Sequence, residues 1–287
     1  MKIIDGKKIA DEILLGVKEK TKEKNLKLGL ATILIGDDSA SHLYVSLKEK
    51  AAKEIGVGFK KYIFSNNVEE KRIIDLIIEL NIDKSVNGIL IQMPLPNNLD
   101  ADKLISAIDF KKDIDGLSSN SDFDSPFILA IWEALKNTKE DLKNKKIFAL
   151  VNSGIFGEKL KDFFKTKKLS LRYSVIPAIH QSTGQAFARI CSLDSRFSAR
   201  GRTRLENDIT REDVLITALG CKNCIKSDMI KKGVILIDGG ISKFDEKVVG
   251  DVDANSVTQK AGWLTPVPGG VGPITIAMLL KNITKDL

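Results

Sequence analysis

Cysteine is scarce in this chain, with Cys191, Cys221 and Cys224 the three thiols among 287 residues. Three cysteines cannot build a disulfide framework, so the expectation is a cytoplasmic protein held together by its core. Histidine is scarcer, and His42 and His180 have no acidic or thiol partner at ligand spacing, so no metal site is expected. The Cys221-Lys222-Asn223-Cys224 pair lacks the second ligand pair a zinc site needs and is likewise assigned no metal. No apolar run approaches the ~18–20 residues required to span a bilayer, so no membrane partner is expected. Residues 1–6 show no apolar segment or cleavage site of a secretory leader. Aromatic residues make up 6% of the chain and do not interleave with basic clusters. The net charge of +7 therefore does not suggest a nucleic-acid surface. Lysines mixed with Glu and Asp describe a solvated surface, one that also suits small polyanions such as a dinucleotide phosphate or a polyglutamylated compound. No internal repeat is present.

What the chain does have is alternation. Apolar runs at 30–35, 88–92, 146–151, 214–218 and 234–237, with a further strand at 59–64, are separated by helical patterns at 39–55, 68–80, 126–135 and 155–164, and a last helix covers 271–283. Gly36-Asp37-Asp38 ends the first run and Gly56 stops the helix after it. Strands alternating with helices imply parallel sheets joined by right-handed crossovers, an α/β fold. With 43% hydrophobic residues the chain can fill one large or two modest cores.

One stretch is foreign in composition. Residues 170–220 contain no lysine, and seven of the eight arginines fall there: Arg172, Arg189, Arg196, Arg200, Arg202, Arg204 and Arg211. Between 184 and 207 periodicity is poor. An Arg-rich insert is the preferred reading, against a phosphate-binding loop or a corrupted stretch.

Four local patterns bear chemistry. Tyr44 and Lys48 stand four apart on the 39–55 helix and share a face near its start, where open α/β folds bind ligands. A plain Tyr–Lys pair on a solvated face has the same spacing. Gln92-Met93-Pro94-Leu95-Pro96 puts an amide at the end of a buried strand, where it can orient a heterocycle. Lys112-Asp113-Ile114-Asp115-Gly116 offers two carboxylates, or simply an Asp-Gly turn. Pro266-Val267-Pro268-Gly269-Gly270-Val271-Gly272-Pro273 is a rigid loop whose glycines permit close backbone approach to a ligand, or a structural connection.

In this order, together with Asp5-Gly6-Lys7 and Gly250-Asp251-Val252, these motifs resemble the bifunctional methylenetetrahydrofolate dehydrogenase/cyclohydrolases over nearly the whole chain outside the insert. The resemblance implies two lobes. Residues 1–120 with 266–287 would form the folate-binding catalytic domain, and 121–265 a Rossmann-like cofactor domain, with the final helix returning to the first lobe. It implies NAD(P)-dependent oxidation of methylenetetrahydrofolate to the methenyl form and hydrolysis to formyltetrahydrofolate, in one-carbon metabolism and purine biosynthesis, by a homodimer. Lys48 would be the catalytic lysine, a proton shuttle with a depressed pKa. Gln92 would bond Lys48 or the substrate, and Tyr44 would stack on the folate. Asp115 would accept pterin N–H groups, and Pro268, Gly269 and Gly270 would wall the pocket.

The cofactor half departs from the family pattern. Its phosphate turn, usually Gly-Arg-Ser with a glycine four residues on, is Val151-Asn152-Ser153 followed by Gly154 and Gly157. The missing arginine leaves NADP without its usual counter-charge, with NAD as the alternative. Pro126-Phe127-Ile128-Leu129 stands where the family has Pro-Cys-Thr-Pro. His180 and Thr183 survive from the next strand end, and Gly240 and Ile241 from the one at Asp238. Three rivals follow: a cyclohydrolase with a degenerate cofactor site, a shikimate-type dehydrogenase, and a binding protein without turnover.

Overall fold

The computed structural model describes residues 1–118, 120–176, 209–244 and 247–285. The insert at 184–207 lies outside these residues, as do His180 and Thr183. The chain runs β1 (Lys2–Ile3), α1 (Gly6–Glu23), β2 (Gly29–Ile35), α2 (Ser39–Glu54), β3 (Gly58–Phe64), α3 (Glu70–Ile82), β4 (Gly88–Ile91), α4 (Ala101–Ser106) and α5 (Pro126–Asn137). It continues with β5 (Ile147–Val151), α6 (Gly154–Thr166), β6 (Leu171–Val175), β7 (Val214–Ala218), β8 (Ile235–Asp238), β9 (Ser242–Phe244) and β10 (Lys247–Val249). The last elements are α7 (Ala254–Val257), β11 (Trp263–Leu264) and α8 (Val271–Asn282). Among the described residues no helix is long and apolar enough to cross a membrane.

Two compact units result, Ala10–Leu129 with Thr275–Leu287, and Met1–Ile9 with Ala130–Ile274. The first holds a three-stranded parallel sheet in the order β3-β2-β4. β2 lies in the middle and reads as an almost unbroken apolar run because both its faces are covered. Ile33, Ile73, Ile77 and Leu104 fill one layer. Leu30, Leu90 and Ile114 fill the other, together with Ile276, Leu279, Leu280 and Ile283 from the chain's last helix and the turn after it. Each of these buried aliphatic side chains contributes ~1.5–3 kcal/mol, which is why the C-terminal segment groups with this unit. The edge strand β3 carries Lys60 and Lys61, exposed charges of the kind that protect a free edge.

The second unit is built on a six-stranded sheet, β1-β11-β8-β7-β5-β6, with every adjacent pair parallel. β5 and β7 are buried at every position. α6 carries the chain from β5 to β6 on one side, and β7 returns on the other side of β5, so the strand order reverses at β5. In open α/β sheets, ligands bind beyond the carboxyl ends of the strands at such a reversal.

The elements and the unit bounds differ from the sequence reading in several places. Residues 1–9, through the pairing of β1 with β11, and residues 266–274 group with the Rossmann-like unit, whereas residues 121–129 group with the other. α1 was not anticipated, although Asp5 caps it by accepting from the Lys7 and Lys8 amides, both at 3.1 Å. β1, α4, β9, β10, α7 and β11, each of six residues or fewer, were not anticipated either.

Candidate active site

Lys48 is placed by a short chain of local rules. β2 ends at Gly36, whose φ of 90° turns the chain and whose missing Cβ leaves room for Asn66 Oδ1, 2.3 Å from where that Cβ would stand. Asp38 then caps α2, accepting from the Ser41 amide at 2.8 Å. Tyr44 and Lys48 follow on successive turns of α2, both partly buried. Lys48 Nζ donates to Gln92 Oε1 at 2.9 Å, and Gln92 Nε2 donates to the Met93 carbonyl at 2.6 Å. Gln92 thus uses both ends of its amide to hold the lysine at the end of β4.

Burial pushes the Lys48 pKa down, and the negative charge of Asp115 partly offsets this. Burial pushes the Asp115 carboxyl up, with Lys48 opposing and Asp113 reinforcing. Burial also raises the Tyr44 hydroxyl. The result is a lysine and a carboxylic acid whose charged forms are both disfavoured, in electrostatic contact with each other. Such a pair is suited to taking up and releasing a proton.

The two carboxylates of the 112–116 motif divide the work. Asp113 is 1% exposed, and its oxygens accept from Leu117 N at 3.3 Å and Ser118 N at 2.8 Å. Gly116, at φ 62°, closes the turn. Asp113 is therefore the turn residue, and Asp115 is left with its carboxyl for another partner. The segment is pinned by Asn282, whose amide donates to the Ile114 carbonyl at 2.8 Å and the Asp124 carbonyl at 3.1 Å. Asn282 escaped the sequence reading. Its only signal there is a polar residue at the end of an otherwise apolar helix.

In the Rossmann-like unit, Ser153 caps α6 and accepts from Phe156 N at 3.3 Å. The Gly157 amide bonds the Ser153 carbonyl. Among the described residues, the first-turn amides of Gly154 and Ile155 remain for an anion, and both residues are exposed. A Cβ on Gly154 would meet nothing nearer than 3.7 Å, so ample room is left there. Gly157 is a glycine for a different reason: a Cβ there would stand 2.5 Å from the Tyr173 ring. Asn152 bonds across the strand reversal, through its amide N to Ala218 O at 3.0 Å and through Nδ2 to Leu219 O at 3.4 Å.

Beyond β8, Gly240 and exposed Ile241 follow a buried pair of carboxylates, Asp238 and Asp251. Asp251 accepts from Leu219 N at 2.8 Å and Cys221 N at 2.7 Å. Asp238 accepts from the amides of Gly240, Asp251 and Val252. A Cβ on Gly240 would stand 2.0 Å from the Asp251 carboxyl, and one on Gly250 2.1 Å from Asp238 Oδ2. These glycines make way for the pair. In the last loop Gly269 has φ 104°, and the backbone of Gly270 crosses that of Gly6 so closely that a Cβ on Gly6 would stand 1.8 Å from the Gly270 carbonyl oxygen. Pro268 follows a cis peptide bond. Of the arginines in the Lys-free stretch, Arg172 and Arg211 are described, and Arg172 pairs with buried Glu212 at 2.6 Å.

Known proteins match along the whole chain. The tetrahydrofolate dehydrogenase/cyclohydrolase catalytic domain matches residues 4–115, and the NAD(P)-binding domain of the same family matches 128–287. The bifunctional protein FolD of Halothermothrix orenii is 36% identical over 298 residues, covering 99% of this chain and 97% of that protein. Among solved structures, the bifunctional FolD methylenetetrahydrofolate dehydrogenase/cyclohydrolase of Campylobacter jejuni has a TM-score of 0.84 at 34% identity, covering 99% of this chain and 98% of that one. The Trypanosoma brucei FolD, solved with NADP and an inhibitor, has a TM-score of 0.83 at 26% identity, covering 98% and 95% of the two chains. A shikimate dehydrogenase of Thermus thermophilus has a TM-score of 0.51 at 12% identity, covering 91% of this chain and all (100%) of its own, a likeness of fold alone.

Proposed function

Because this chain belongs to the tetrahydrofolate dehydrogenase/cyclohydrolase family, we propose residue roles for the two reactions of that bifunctional enzyme. The reactions are NAD(P)-dependent oxidation of methylenetetrahydrofolate to methenyltetrahydrofolate and hydrolysis of the methenyl bridge to formyltetrahydrofolate. The shikimate-type, cyclohydrolase-only and non-catalytic readings give way to this one, since relatives named bifunctional match over almost the full length.

The observation that carries the assignment is the 2.9 Å bond from Lys48 to Gln92, with Asp115 in electrostatic contact. Hydrolysis adds water to a cationic amidine carbon, and a proton must then leave the water and reach the departing ring nitrogen. Lys48 moves that proton, because burial has made its neutral form accessible. Gln92 fixes the direction of the Nζ. Asp115, whose carboxyl Asp113 spares from turn duty, accepts the amino and ring N–H groups of the pterin. Tyr44 offers an aromatic face one helical turn before the lysine.

The cofactor supplies a hydride acceptor when bound. Ser153, Gly154 and the start of α6 suit its pyrophosphate, through free first-turn amides and room for close approach. Asn152 is neutral, so the chain discriminates weakly for NADP over NAD unless arginines at 189, 196, 200, 202 or 204 supply a counter-charge. Gly240 and Ile241 border the same sheet edge, and His180 and Thr183 are retained from the family pattern. A homodimer, a cytoplasmic location and a role in purine biosynthesis belong to the same proposal.

The test follows methenyltetrahydrofolate absorbance with NADP, with NAD and with neither, in wild type and Lys48→Met. The variant keeps the aliphatic volume and removes the proton carrier. Hydrolysis is expected to fall ~10²–10⁴-fold. A rate within about a factor of two of wild type, well below that range, removes Lys48 from the mechanism.

A further inference from the structure

We propose that Cys221 and Cys224 form a reversible dithiol–disulfide pair in the turn that follows β7. The backbone already holds the geometry. Cys224 N donates to Cys221 O at 3.4 Å, closing a four-residue turn, and Asn223 takes its third position with φ 50°. Such a turn keeps its first and fourth Cα atoms within about 7 Å. A disulfide requires a Cα separation of ~4.4–6.8 Å. Each thiol lies near enough to shift the titration of the other.

The turn is also clamped from outside. Cys221 N donates to Asp251 Oδ1 at 2.7 Å. Asn223 N reaches Gly250 O at 3.0 Å, and Ile225 N reaches Asp251 O at 2.9 Å. Closing the sulfur bridge therefore asks for little backbone movement.

The two thiols are not equivalent, and the difference assigns their order of reaction. Cys221 is half-buried and open to a small oxidant, whereas Cys224 is 8% exposed. Cys224 holds the Cys221 thiol below its ordinary pKa, and Cys221 together with burial raises that of Cys224. Cys221, as thiolate, attacks one sulfur of a low-molecular-weight disulfide such as oxidised glutathione and expels one thiolate. Cys224 then loses its proton to water and attacks Cys221 Sγ, expelling the second. The protein dithiol is oxidised by two electrons, and the small disulfide is reduced to two thiols. A reduced thiol reverses both steps.

The experiment uses the full-length Cys191→Ser variant, which removes the third thiol, incubated in glutathione buffers of graded redox potential and acid-quenched for intact mass. The expected product has lost two hydrogens, carries no glutathione, and returns to the starting mass with dithiothreitol. Adding Cys224→Ser is expected to trap one glutathione on Cys221, and adding Cys221→Ser to slow the reaction of the remaining thiol at least tenfold. A persistent glutathione adduct without loss of hydrogens in Cys191→Ser would overturn the proposal. So would thiols that react only after unfolding in urea.

Discussion

The Asp238–Asp251 pair gives the Rossmann-like unit a pH dependence of unusual sign. Asp238 is 2% exposed and Asp251 0%. Burial first, and the neighbouring Asp251 charge second, push the Asp238 carboxyl from 3.8 up to about 7, against the pull of three backbone amides. The unfolded chain releases this proton near pH 4, whereas the folded chain keeps it to about pH 7. The folded state therefore binds the extra proton between these limits, and stability falls as pH rises through that window and levels above it. At ~1.36 kcal/mol per pH unit, the span of roughly three units is worth about 4 kcal/mol, and the step from pH 5 to pH 7 somewhat under 3. Carboxylates held low by lysines, such as Glu49 and Glu70, tilt the profile the other way. The diagnostic is accordingly the difference between wild type and Asp238→Asn. The asparagine keeps the shape and one acceptor oxygen, gives up acceptance at the other at every pH, and cannot titrate. Urea unfolding at pH 5, 6, 7 and 8 should show the wild type losing its advantage over the variant by about 1.4 kcal/mol per unit up to pH 7, and no further change beyond. Parallel curves between pH 5 and 7 would show that Asp238 is ionised throughout, and would refute the argument.

Three further outcomes follow from the geometry. Asp113→Ala should destabilise the unit of Ala10–Leu129 by ~1–3 kcal/mol by orphaning the Leu117 and Ser118 amides, whereas Asp115→Ala should leave the melting temperature in place and weaken folate binding by ~1.5–3 kcal/mol. Calorimetry showing unchanged folate affinity in Asp115→Ala would remove it from the pterin contacts. Gly157→Ala forces a Cβ to within 2.5 Å of the Tyr173 ring, an overpacking expected to lower stability by ~1–3 kcal/mol in a denaturant titration; an unshifted midpoint would contradict the packing role. Titrating NADP and NAD against wild type and the Arg200→Ser, Arg202→Ser, Arg204→Ser triple variant tests the counter-charge idea. Strong NADP preference in the wild type that disappears in the variant supports it, and strong preference that survives refutes it.

Much of this molecule is legible from short stretches of chain. The apolar runs of β2, β5 and β7 announce a parallel sheet, because strands covered on both faces need no polar alternation. Four-residue spacing is enough to align Tyr44 with Lys48, and Ser153 before Gly154 marks the start of α6. These are interactions within a few residues, and local sequence encodes them. α1 was equally local, with Asp5 as its cap, and its sparse apolar stripe among lysines hid it.

The remaining assignments depend on which distant segments meet. Asp113 and Asp115 are indistinguishable in a string of letters, and only the fold shows that the first is consumed by the Leu117 and Ser118 amides. Gly157 reads as a phosphate-loop glycine until Tyr173 arrives beside it from β6. Gly240 and Gly250 owe their identity to carboxylates on the opposite segments, Asp251 and Asp238. Residues 1–9 join the second unit because β1 pairs with β11, more than 250 positions away. Periodicity and capping act along the chain, whereas steric exclusion, desolvation and charge coupling act through space, and those fall to the topology to decide.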